Sequence, residues 1–61
     1  MNYEFFSPEQ IMMKLDYRAV KAREFLEYKL HIEDYSGVIE ACVELIEIQS
    51  ELKIWKKITS A

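Results

Sequence analysis

The run Phe6-Ser7-Pro8-Glu9-Gln10-Ile11 constrains this chain more than any other feature, because it states where a helix begins. A serine at a helix N-cap accepts from the amide three residues on, and a glutamine there reaches back to the serine amide, forming a reciprocal capping box. Ser7 and Gln10 stand at that spacing. Pro8 falls on the first helical position, where its restricted φ suits the helix and its missing amide leaves no donor unsatisfied. Phe6 and Ile11 occupy the two positions of a hydrophobic staple, which sets the angle of chain entry. From Ser7 onward the chain is read in helical register.

The first helix is expected over about 8–32, since no proline or glycine interrupts those residues after its first position. Met12, Leu15, Ala19, Ala22 and Leu26 alternate in steps of three and four, the seam pattern of a packed helix. Ile11, Arg18, Phe25 and Ile32 flank that seam on one side, and Asp16, Arg23 and Leu30 on the other. The pattern breaks across Glu33-Asp34-Tyr35-Ser36-Gly37, which holds the one glycine, with Asp34 or Ser36 placed to cap a second helix. That helix, about 37–58, carries Val38, Ala41, Leu45, Ile48, Leu52 and Trp55 along one seam and Ile39, Val43 and Ile46 along another face. So short a connection makes the helices antiparallel neighbours. A single unbroken helix is the alternative, because Gly37 alone costs only ~1 kcal/mol inside one.

The fold class expected is therefore all-α: an antiparallel two-helix hairpin dimerising into a four-helix bundle, since each helix carries more apolar stripes than one neighbour covers. Residues 1–6 form an aromatic arm, 7–58 the single hairpin domain with its turn at about 33–36, and 59–61 a tail. Charge supports an antiparallel register. Folding about Asp34 and Tyr35 sets Lys29 against Glu40, Lys21 near Glu47, Arg18 against Glu51, Asp16 against Lys53, and Glu9 near Lys56 and Lys57. Each exposed pair contributes only ~0–1 kcal/mol, so their role is to exclude wrong pairings.

Size and composition bound the function. A chain of 61 residues buries only about 60% of its unfolded surface, so small scaffolds add disulfides, a metal or association. One cysteine, Cys42, closes no internal disulfide, and together with the lone His31 it falls short of a four-ligand zinc site. Association remains. Cys42, among Ala41, Val43 and Leu45, reads as a buried apolar residue in a reducing compartment. The sequence shows neither a signal-peptide pattern nor an apolar run of the ~18–20 residues a membrane span needs, which makes the cytoplasm the expected location. An apolar content of 51% argues against disorder, and the net charge of −3 is ordinary.

No constellation for catalysis emerges, and no cofactor or metal is expected. Asp16, Glu24 and the glutamates of the second helix read as solvated or paired with bases rather than with one another, His31 reads as a helix C-terminal cap, and one glycine makes no phosphate loop. The expected function is a small non-enzymatic regulatory protein, an adaptor or inhibitor acting as a homodimer through apolar helical faces. Its partner-binding candidates are Tyr3, Phe5, Met13, Tyr17 and Val20. Tyr3 and Phe5 have a second reading, in which they close the open end of the bundle over Trp55 and Ile58. The stripe Glu40, Glu44, Glu47 and Glu51 reads as the counterpart of helix-one bases before it reads as a docking surface. Lys14, Arg18, Lys21 and Lys29 with Phe25 among them form a basic face. In length, hairpin plan and that one face the chain resembles the Rop-type RNA-binding proteins, and the resemblance implies a salt-sensitive RNA contact through those residues. A structural subunit of a larger assembly is the other alternative.

Overall fold

The computed structural model describes residues 6–60, which form two helices packed against each other. Helix α1 runs Pro8–His31 and α2 runs Tyr35–Thr59. The capping box that starts α1 is complete. The Gln10 amide donates to Ser7 Oγ at 3.2 Å, and the Ser7 amide donates to Gln10 Oε1 at 3.0 Å.

Three residues, Ile32, Glu33 and Asp34, reverse the chain. The Asp34 amide donates to the Lys29 carbonyl at 2.9 Å and the Glu33 amide to the Leu30 carbonyl at 3.1 Å. This pair of bonds is a Schellman motif, which satisfies carbonyls left open at a helix end. The motif needs a left-handed residue at its centre, and Glu33 supplies it at φ 59°. The single glycine is not used there, contrary to its expected place in the break. Gly37 is instead the third residue of α2 and is buried. Its role is close approach: a Cβ on Gly37 would stand 2.7 Å from Lys29 Cδ and 2.8 Å from Lys29 Cγ. Asp34 is the cap of α2, accepting from the Gly37 amide at 3.2 Å, while the Ser36 hydroxyl donates to the same carboxylate oxygen at 3.3 Å.

The core is thin. Ile11, Leu15 and Ile48, each 1% exposed, form its centre, with Ala19, Leu52 and Trp55 packed against it. Ala22 and Ala41 complete the buried apolar set among the described residues. Ile11, expected on the flank of the seam, is at its heart: it lies one turn before Leu15 on the same face. Cys42 is exposed, against the expectation of burial, because one step from the core residue Ala41 rotates a side chain ~100° around the helix. Expected charge partners are also displaced. The reversal centres on Glu33, before the Asp34–Tyr35 pivot read from the sequence, which accounts for about half of the shift. Lys29, expected against Glu40, bonds Asp34 at 3.1 Å, and Arg18 bonds Glu44 at 2.7 Å, a partner the expected register does not name.

Holding a glutamate in the left-handed region costs ~1–2 kcal/mol, part of which glycine gives back through its looser unfolded state. Glu33→Gly should therefore raise the unfolding free energy by about 0.5–1 kcal/mol in chemical denaturation. A loss of stability would mean that the Glu33 side chain contributes more than its backbone strain removes.

Candidate interaction surfaces

Helical spacing distributes the exposed side chains over distinct faces. Met13, Tyr17 and Val20 follow one another in steps of four and three on the side of α1 away from the core, and Met13 is 69% exposed. On α2 the strip Ile39, Val43 and Ile46 is equally open, with Ile39 at 64% and Ile46 at 62%. Tyr3 and Phe5, the other expected contact residues, lie outside the described residues. No helix among the described residues is long and apolar enough to cross a membrane.

The basic face of α1 is present, but its cations are engaged. Lys14 Nζ lies 4.6 Å from the centre of the Phe6 ring, and Lys21 Nζ lies 5.5 Å from that of Tyr17. Lys29 Nζ is 5.2 Å from the Phe25 ring centre and 5.8 Å from that of Tyr28, besides its bond to Asp34. Exposed cation–π contacts of this kind contribute about 0.5–1 kcal/mol. Lysine one turn after an aromatic residue is the signal for two of them, and the sequence displays it at Tyr17–Lys21 and Phe25–Lys29. Arg18 spans the interhelical groove to Glu44 with both side chains partly open to water, so this bond adds little stability and instead sets which sides of the two helices meet.

Beside that bond lies a groove of about 370 Å³, lined on α1 by Tyr17, Arg18, Lys21, Ala22 and Phe25 and on α2 by Glu40, Ala41 and Glu44. The two alanines make it: small side chains at one level leave a notch, with aromatic walls and a charged rim. Such a notch suits an apolar side chain flanked by polar groups. Among the described residues no group of three or more His, Cys, Asp and Glu is placed to hold a metal ion. His31 is the last residue of α1 and is exposed.

The amide of Gly37 chiefly, and then the Lys29 ammonium, hold Asp34 below the ordinary aspartate range. Because the folded value is the lower one, this group stabilises the fold above the unfolded pKa, and that contribution disappears as pH falls through the folded value. Comparing wild type with Asp34→Asn, which keeps a cap but cannot titrate, isolates the effect. The wild-type advantage should be present at neutral pH and shrink as pH drops below the ordinary aspartate range. A difference independent of pH would contradict the assignment.

Comparison with protein-family models, with curated proteins and with solved structures gives no match to this chain.

Proposed function

We propose that this chain is a small non-enzymatic regulatory protein, an adaptor or inhibitor, which acts by protein–protein contact through apolar helical faces and works as a homodimer of four-helix-bundle plan. One observation carries the reading. Among the described residues, large apolar side chains left exposed outnumber the five apolar residues that are buried. A monomer rarely leaves so much apolar surface open without a partner for it. The exposed residues also lie in helical rows, which suits a helix laid alongside or a bundle completed by another chain. Met13, Tyr17 and Val20 are the anchors for such a partner, and Tyr3 and Phe5 add aromatic residues to the sequence just before α1. A cytoplasmic setting belongs to the same reading.

The RNA-binding alternative draws on Lys14, Arg18, Lys21, Phe25 and Lys29. What favours it is the interleaving of lysines with aromatic rings. What weighs against it is that Arg18 and Lys29 already face carboxylates. Glu44→Gln should weaken the hold on the Arg18 guanidinium, and a contact that depends on that face should then tighten and become more salt-dependent. Absence of binding to structured RNA at low salt, in wild type and Glu44→Gln alike, would end this alternative.

Light scattering across a range of concentrations, with helicity followed in parallel, tests the main reading. The expected result is a stable helical species of twice the 7.3 kDa chain mass. Growth beyond a dimer would favour the structural-subunit alternative. A stable, fully helical monomer at all concentrations would remove the argument that exposed apolar surface drives association.

A further inference from the structure

Burial along the two seams follows a rule that the sequence repeat alone does not contain. Each seam contains two interleaved rows with a seven-residue step. One row is closed by the hairpin: Leu15 and Ala22 on α1, Ala41 and Ile48 on α2 are buried. The other row is left half-buried throughout: Met12, Ala19 and Leu26 on α1, Val38, Leu45 and Leu52 on α2. The closed rows have a second flank as well. It holds Arg18 on α1, with Glu44 and Glu51 on α2, and the Arg18–Glu44 bond of 2.7 Å closes over it.

That bond also fixes where the half-buried rows lie. Arg18 and Glu44 sit on one side of the buried rows, so Met12, Ala19 and Leu26 share the opposite side of the hairpin with Val38, Leu45 and Leu52. One side of the molecule is thus bridged by charge, and the other is a continuous uncharged strip bordering directly on the core. Resting on the self-association reading, we infer that this strip is where a second copy of the chain docks.

Three arguments favour a second copy as the occupant. A two-fold interface brings a patch against itself, and these six residues bring no like charges together. The charged residues that border the strip on α1, Asp16 and Arg23, are of opposite sign, so self-pairing does not impose like charges there. Second, covering the half-buried rows extends the existing core into one interior, the way bundle positions at heptad spacing are filled. Covering Ile39, Val43 and Ile46 would make a separate contact on the far side of α2. Third, the chain has surface to give: it exposes 4821 Å² in all, against about 4,200 Å² for a compact monomer of its mass, an excess on the order of what one partner contributes to a standard interface.

Two adjacent residues separate this face from its rivals: Leu45 lies in the inferred interface and Ile46 on the outer strip. Sedimentation equilibrium of the full chain should show Leu45→Lys weakening the dimer by about 30-fold or more and Ile46→Lys by no more than about 3-fold. The reverse order would overturn the inferred face while leaving self-association intact. A wild-type chain that stays monomeric would overturn both. Because Leu45→Lys disturbs the hairpin as well as the interface, the unmutated protein supplies the second readout. Titrating a dissolved gadolinium chelate should broaden the methyl resonances of Ile39 and Ile46 and spare those of Leu26, Leu45 and Leu52. Broadening of the three leucines with protection of the two isoleucines would reject the assignment.

Discussion

Each helix in this chain has a single neighbour, and most of the structure depends on that constraint. A helix with one neighbour buries one stripe, whereas these helices carry apolar residues on several. Ile11, Leu15 and Ile48 absorb what two helices offer each other, and the alanines at 22 and 41 fill the level nearer the turn. The shape records the same shortage. The molecule extends over 42 × 19 × 15 Å, with a radius of gyration of 13.5 Å against about 10.5 Å for a compact domain of this length. A rod of two helices has too much surface for its volume, so the remaining apolar rows are the natural source of further stability.

Polar interactions do a different job here. They place the elements. The capping box starts α1, the Schellman bonds through Lys29 and Leu30 end it, and the Asp34 carboxylate starts α2 within three residues of that end. Lys29 ties the two ends together, since its stem lies against Gly37 while its ammonium meets Asp34. Arg18 and Glu44 then lock one side of the hairpin to the other. None of these charged groups is fully buried, so none adds much energy, but together they decide which faces look inward and which outward.

The legible parts of the fold are those written in local chemistry. Ser7, Pro8 and Gln10 mark the first helix because their partners are within one turn. The seams through Leu15 and Ala22, and through Ala41 and Ile48, are visible because a helix repeats its face at fixed steps. Ile11 escapes notice as a core residue because its staple position ties it to the helix start, although its spacing to Leu15 and Ala22 places it on their face. Cys42 is misleading because its apolar neighbours in sequence occupy other directions around the helix. The Lys29 pairing slips because the register is read about Asp34 and Tyr35, whereas the left-handed residue at the reversal is Glu33. Of the candidate contact residues, Met13, Tyr17 and Val20 stand on an open face, while the Arg18 and Lys29 charges of the alternative site are engaged by carboxylates.

By itself the sequence determined two helices, their start signals, their antiparallel pairing and the surplus of apolar stripes, because each is a matter of spacing within a few turns. Only the tertiary structure decided where the chain reverses, which glutamate Arg18 reaches, and which half of each seam the hairpin closes. Those depend on how two helices rotate and slide against each other. A seven-residue repeat leaves that rotation open, and the geometry of Glu33, the approach of Lys29 to Gly37 and the Arg18–Glu44 bond settle it.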